Sequence, residues 1–102
     1  MNFPLLILVR RIMKNGIYIF VGEGASFPSG VFTTTQDAEQ WIRKYSLSGI
    51  LSQYPVNEGL YDWAIEKDFF TVKNEHQKES TFIQRFTCAS MEHFHFENGE
   101  QI

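Results

Sequence analysis

The sequence has almost no cysteine and no cluster of basic residues, and each scarcity excludes a class of protein. Cys88 is the single cysteine among 102 residues, so the chain cannot form an intramolecular disulfide. Nine Lys and Arg stand against twelve Asp and Glu, a formal charge of −3, and the basic residues form no stripe of the kind that nucleic-acid binders carry. We therefore expect a protein of the reducing cytoplasm that binds no nucleic acid.

The sequence also lacks an apolar run long enough to cross a membrane. The run from Phe3 to Val9 is far shorter than the roughly 20 residues that a membrane span requires. Arg10 and Arg11 follow this run, whereas a signal peptide carries its positive charges in front. We therefore expect no membrane partner and no signal peptide.

The length of the chain suits one domain. A chain of 102 residues buries roughly 65% of its unfolded surface on folding, which is enough for one core without disulfides. Strong patterning begins only at Gly16. We therefore favour an N-terminal extension for residues 1–12 over the alternative, a strand at the edge of a sheet, and we predict a single domain over residues 13–102.

Aromatic and β-branched residues are abundant and predict two strands near the start of this domain. The stretch "IYIFV" at 17–21 lies between glycines and is typical of a buried strand. The stretch "GEGASFPSG" at 22–30 is rich in Gly, Pro and Ser and predicts a loop, after which "GVFTTT" at 30–35 returns to extended structure. Because the connection is short, the two strands should pair as an antiparallel hairpin.

The clearest prediction is a helix over residues 36–46. Thr34 or Thr35 can cap it, and Asp37 in the first turn is favourable beside the positive end of the helix. Four apolar residues then recur with helical spacing and form one continuous face: Ala38, Trp41, Ile42 and Tyr45.

The middle of the chain is less regular. Residues 50–54 predict a third strand that Pro55 closes. Residues 58–67 are ambiguous, because their apolar residues fit both the alternation of a strand and one face of a helix. We favour a helix there, with Asn57 as its cap.

The last third predicts a helix and then a strand. Ser80 can cap a helix that reaches Ala89 and contains Cys88 as a small apolar residue. The stretch "MEHFHFENGE" alternates as a strand does, and its Asn98-Gly99 pair tolerates the positive φ angles of a turn. The predicted order is β-β-α-β-α-α-β. It indicates an α+β domain, with a small and mainly antiparallel sheet of about four strands covered by two or three helices.

Two histidines in this last strand are candidate metal ligands. Side chains alternate between the faces of a strand, so His93, His95 and Glu97 should project together while Phe94 and Phe96 enter the core. Two imidazoles and a carboxylate can form the three-ligand set of a catalytic zinc site. A solvated strand face explains the same pattern, and we favour it because it requires no further ligand.

Acidic residues around a tryptophan indicate a protein interface. Trp63 lies at the margin of the apolar face of the predicted second helix, between Asp62 and Glu66, and partly exposed tryptophans often anchor interfaces. Glu23, in the predicted hairpin loop, adds a further negative charge. We predict that these four residues contribute to a partner-binding surface; for Trp63 taken alone, the simpler alternative is a ring that lies over the edge of the core.

The chain from Gly16 to Gly99 resembles a family of small bacterial domains of unknown function. The resemblance depends on six stretches: "IYIFVGEGASFPSGVF", "AEQWI", "LSGILSQYPV", "YDWAI", "FIQRF" and "EHFHFENG". It implies a shared fold, and it transfers no catalytic role and no cofactor to this chain.

Small size and acidity make a non-enzymatic, cytoplasmic protein-binding module the leading hypothesis. One form of it is an immunity protein that neutralises a cognate toxin by occlusion, with a basic toxin domain as its partner. The hypothesis requires no cofactor. Two alternatives stay open: a small metal-dependent hydrolase that uses His93, His95 and Glu97, and a structural homodimer.

Overall fold

The structure is a computed structural model that describes residues 16–102. These residues form one five-stranded sheet, three α-helices and a short 3₁₀ helix. The strands are β1 (Ile17–Gly22), β2 (Gly30–Phe32), β3 (Gly49–Tyr54), β4 (His93–Glu97) and β5 (Glu100–Gln101). The helices are α1 (Thr35–Lys44), α2 (Leu60–Glu66), the 3₁₀ helix η1 (Glu75–Lys78) and α3 (Ser80–Ile83). The predictions for residues 1–12 lie outside the described residues.

The sheet is antiparallel throughout, with the strand order β2-β1-β3-β4-β5. The predicted α+β class and the β1–β2 hairpin are therefore confirmed, but the sheet has five strands rather than four. The additional strand is β5, which pairs with β4 across a two-residue turn in which both Asn98 and Gly99 have positive φ angles. Gly49 is required at the start of β3, because a Cβ atom there would overlap the carbonyl oxygen of Val21.

Helix α1 forms where the apolar periodicity predicts it and covers one face of the sheet. The Thr34 hydroxyl accepts a hydrogen bond of 3.1 Å from the backbone N–H of Asp37, which caps the first turn. The apolar face of α1 lies over the centre of the sheet. The buried residues of this first core are Phe20, Ala38, Ile42, Leu51 and Phe96. Complete burial of an aliphatic side chain such as Ile42 or Leu51 contributes about 1.5–3 kcal/mol to the stability of the fold.

The ambiguous stretch 58–67 contains a helix, as we favoured, but the helix spans only Leu60–Glu66 and its cap is not the predicted one. Gly59 occupies the N-cap position with extended backbone and makes no side-chain capping bond. Asn57 has a φ of 66° and turns the chain before α2 begins. Helix α2 contributes to a second core, in which Trp63, Ala64 and Met91 are buried.

The third predicted helix is much shorter than expected. Helix α3 ends at Ile83, and Cys88 lies in irregular structure rather than inside a helix. The physical reason lies in the backbone that follows: Arg85 and Phe86 donate to carbonyl groups three residues earlier, which tightens the chain and ends the α-helical repeat. The Phe86 ring then contacts Phe70 and Tyr61 instead of continuing a helical face.

Candidate functional site

The candidate site is the face of the sheet that α1 leaves uncovered. Because strand residues alternate between faces and register partners share a face, the strand pairing identifies its members. We call this surface the open face; its residues are Ile17, Ile19, Val21, Val31, Ile50, Ser52, Tyr54, His93, His95, Glu97 and Glu100. At one end of this face Tyr54 packs against the second core.

The open face changes from apolar to acidic across its width. On its apolar side, the side chains of Val31 and Ile50 are 62% and 40% exposed. Ile50 lies opposite Val21 in β1 and opposite His95 in β4, so the apolar residues continue directly into the histidines. Val31 lies opposite Ile19 in β1, so the apolar residues also continue across β1 to β2. A continuous exposed apolar patch is typical of a surface that another molecule covers.

The two histidines share this face, as predicted, and one of them has a defined tautomer. Their ring centroids lie 5.5 Å apart, and both residues are exposed. His93 Nδ1 lies 2.8 Å from the carbonyl oxygen of Met91. Since a carbonyl oxygen only accepts, Nδ1 carries the proton and Nε2 of the neutral ring is an acceptor that points away from the backbone.

The histidines and Glu97 do not assemble into a metal centre. Within residues 16–102, no group of three or more His, Cys, Asp or Glu side chains is close enough to hold a metal ion. The shared face that the alternation predicts is therefore present, but the three-ligand geometry of a catalytic zinc site is not.

The charged residues of the open face are both acidic. Glu97 and Glu100 lie directly opposite each other in the β4–β5 pair. Glu23 follows the end of β1 and, with Glu97, lines a cleft of about 410 Å³ at that end of the face. No Lys or Arg among the described residues forms an ion pair with these three glutamates. The sequence from residue 16 onward contains all twelve acidic residues but only six of the basic ones, a formal charge of −6.

The predicted partner-binding residues do not form one surface. Asp62 and Glu66 are exposed on α2, where Glu66 lies 3.5 Å from Lys67. The chain enters α2 from the Tyr54 end of β3, whereas Glu23 follows the opposite end of the sheet. Six-residue strands separate these two ends by roughly 17 Å. Glu23 therefore belongs with Glu97, and Asp62 and Glu66 lie elsewhere.

Trp63 does not anchor an interface; the structure supports the alternative, a ring that packs on the core. Its side chain is 1% exposed and is among the largest buried groups of the molecule. The buried side of α2 is centred on Trp63 and Ala64, and the Trp63 ring packs on Phe69 with centroids 5.4 Å apart. Trp63 holds the second core together and is not available to contact a partner.

Sequence reasoning missed Val31 and Ile50, which are the most exposed apolar residues of the open face. A signal for them was present in "IYIFV", where Ile17, Ile19 and Val21 are as apolar as the residues that alternate with them. A strand of a small antiparallel sheet that is apolar on both faces indicates that something covers both. What the sequence did not show was the register that places Ile50 between Val21 and His95.

Within the described part of the chain, none of the helices has the length and apolar composition needed to cross a membrane.

Comparison with known proteins identifies the family of this domain. No curated protein and no solved structure matches the chain. One family model does match, over residues 17–102, and it confirms the resemblance to a family of unknown function. The chain belongs to the family described as Domain of unknown function (DUF7710).

Proposed function

We propose that this protein is a non-enzymatic protein-binding module whose open face covers an apolar and basic surface of another protein. The observation that carries the proposal is the composition of this face. It exposes Val31 and Ile50 on its apolar side, it carries Glu97 and Glu100 at the opposite edge with no ion pair among the described residues, and it contains no Lys or Arg.

The two halves of the open face have different tasks in binding. Burying Val31 and Ile50 stabilises the complex by about 25 cal/mol for each Å² of apolar surface removed from water. The charges of Glu97 and Glu100, together with Glu23 beside them, attract a basic partner and set its orientation. Complementary charge of this kind acts mainly on the association rate and on specificity.

The proposed interface includes residues outside the strands of the sheet. The three longer strands run roughly 18 Å and the edge strands β2 and β5 only about 7–10 Å, so with strands about 4.8 Å apart the sheet presents a plane of only about 350 Å². A stable interface buries about 800 Å² on each side. The β1–β2 loop supplies additional surface, since every residue from Glu23 to Ser29 is exposed and Phe27 is 78% exposed. A partner that contacts Phe27 as well as Val31 therefore covers more surface than the strands alone present.

A toxin-neutralising immunity protein is the form of this function that we favour. Its mechanism is occlusion: the open face covers the basic working surface of a toxin domain, and no catalytic group is needed. A cytoplasmic location fits the single half-buried thiol of Cys88, which has no disulfide partner in the sequence.

The proposal is tested by position-specific photo-crosslinking in the producing cells. A photoreactive phenylalanine analogue is placed at Val31 or at Ile50 on the open face, and at Gln40 on the exposed side of α1 as the matched control. We expect the first two positions to capture the same protein and position 40 to capture none. The captured protein is then purified, and its association rate should fall about tenfold between low and high salt.

Two results contradict the proposal. Equal capture from Gln40 shows that contact with the open face is not specific. Capture of a second copy of this chain from both open-face positions, with a mass that rises with concentration, makes the surface a homodimer interface instead.

A further inference from the structure

Four aromatic rings outside the open face form a cluster that is not fully buried. They are Tyr61, Phe70, Phe82 and Phe86, and each contacts the other three, with centroids 5.0 to 6.3 Å apart. Each of the four residues is only half-buried. The Tyr61 hydroxyl donates to the carbonyl oxygen of Gln77 at 2.8 Å, which fixes the cluster to η1.

Three of these rings line a cleft of about 410 Å³. Phe70 and Phe82 stack with an interplanar angle of 27°, and together with Phe86 they make the lining largely aromatic. The cleft also contains the hydroxyl-bearing residues Thr81 and Thr87. A volume in this range with aromatic walls and a few polar groups is typical of a small-molecule site.

The cleft carries one uncompensated positive charge. Arg85 lines it, is exposed, and forms no ion pair within residues 16–102. His76 also lines it, but its Nδ1 lies 3.0 Å from a carboxylate oxygen of Glu79. Arg85 is therefore the lining residue whose charge is open to a ligand, in a region of the sequence that is strongly acidic.

We propose that this cleft binds a small planar aromatic carboxylate, with its ring against Phe82 and Phe86 and its carboxylate on Arg85. The rings offer offset or edge-to-face contact to an aromatic ligand. The guanidinium offers two parallel N–H donors, a geometry that matches a carboxylate. Thr81 and Thr87 line the same cleft and provide hydroxyl donors.

The test uses three probes that share one ring system and differ in charge. 2-Naphthoate, 2-naphthol and 2-naphthylmethylamine are titrated at millimolar concentrations into the full chain, and binding is followed by protein-observed NMR. We expect naphthoate to bind about tenfold or more tightly than the amine, because the carboxylate accepts hydrogen bonds from the charged guanidinium of Arg85 and the amine does not. The amide signals of Thr81 and Thr87 should shift, and those of Val31 and Ile50 on the open face should not.

Variants of the exposed residue Arg85 distinguish recognition of the ligand's charge from non-specific apolar binding. Arg85→Gln should weaken naphthoate binding about tenfold or more and leave naphthol binding unchanged. Arg85→Lys should retain part of the affinity, since it keeps the charge and loses the paired donors. Arg43→Gln, on the exposed side of α1, is the matched control and should change nothing.

Any one of three results overturns the proposal: no saturable naphthoate binding, amine binding as tight as naphthoate binding, or full naphthoate affinity in Arg85→Gln. None of these results bears on the open face, so the proposal and the protein-binding function can fail independently.

Discussion

Two regions of this molecule are stabilised in different ways. The first region, the sheet with α1, has strands of up to six residues, a ten-residue helix and a core centred on Phe20, Ile42 and Leu51. The second region, residues 55–91, has α-helices of seven and four residues, and its core is a set of large rings around Trp63. Regular backbone hydrogen bonds define the first region, whereas a few aromatic side chains define the second. The second region therefore depends more heavily on each single residue.

Each region contains one tryptophan, which makes the comparison measurable. Trp41 packs edge-on against Phe20 in the first region, at 5.8 Å between centroids, and Trp63 lies in the second core. Trp41→Phe and Trp63→Phe variants each leave one fluorescent reporter. Coincident unfolding transitions in the two variants show one cooperative unit; an earlier transition at Trp63 shows that the second region opens on its own.

The largest expected effect is that of Trp63→Ala. Removal of this fully buried ring leaves a cavity among Ala64, Met91 and Phe69, and should lower the free energy of unfolding by about 3–5 kcal/mol. Urea unfolding followed by far-UV circular dichroism measures it. Ile50→Ala on the open face is the control and should cost less than about 1 kcal/mol, since 40% of Ile50 is exposed. A loss below that of Ile50→Ala would show that the second core contributes little to stability.

The next largest effect is expected for Gly49→Ala, which tests how closely the strands of the first region pack. Gly49→Ala places a methyl group against the Val21 carbonyl and within 2.7 Å of the Phe20 ring, so β1 and β3 must separate. We expect a loss of about 1–3 kcal/mol, as for overpacking in a core. Gly24→Ala is the matched control: its φ is +78°, but nothing lies within 4 Å, so only backbone strain of about 1 kcal/mol remains. Equal losses in thermal unfolding would contradict the close packing of these strands.

Removing a helix cap in each region should have a smaller effect on stability. Thr34 and Asn74 each accept a hydrogen bond of 3.1 Å from a backbone N–H, at the start of α1 and of η1 respectively. Thr34→Ala should cost about 1 kcal/mol because it weakens a helix that covers the first core. Asn74→Ala should cost less than half of that, since η1 has four residues and buries none. Thermal unfolding of both variants gives the ratio, and a larger loss at Asn74 would reverse the ranking.

The same contrast explains how much of the fold the sequence predicts. Helix α1 was predicted at 36–46 and lies at Thr35–Lys44, because its cap and its apolar spacing are local features. The rings of the second region are scattered from Tyr61 to Phe86 and meet only in the folded chain. Local periodicity does not predict these contacts, so the length of α3 was predicted wrongly and two positions stayed open for Trp63, at an interface or on the core.

The candidate site, too, could be predicted from the sequence only where it depends on local pattern. Alternation correctly predicted that His93, His95 and Glu97 share a strand face, since this requires one strand only. The apolar half of the open face arises when Val31 and Ile50 are brought beside that strand through β1 and β3. Register between strands is a tertiary property, and the separation of Glu23 from Asp62 depends on it as well.

The smallest effect on stability should have the clearest effect on function. Glu97 and Glu100 are like charges placed directly across β4 and β5, and such pairs are destabilising. Glu100→Lys turns the repulsion into attraction and should raise the free energy of unfolding by about 0.2–1 kcal/mol. The same change reduces the negative charge of the open face, so association with a basic partner should slow and become less sensitive to salt. Urea unfolding and stopped-flow binding measure the two effects on one variant.

A variant that is more stable but binds more slowly distinguishes a binding charge from a structural one. Glu58→Lys changes the formal charge by the same amount at an exposed position outside the open face, where no ion pair is present among the described residues. It should therefore leave stability nearly unchanged and slow association less than Glu100→Lys does. If both variants slow association equally, net charge alone attracts the partner. In that case the position of Glu97 and Glu100 at the edge of the open face has no special role, and the apolar side of the open face must determine where the partner binds.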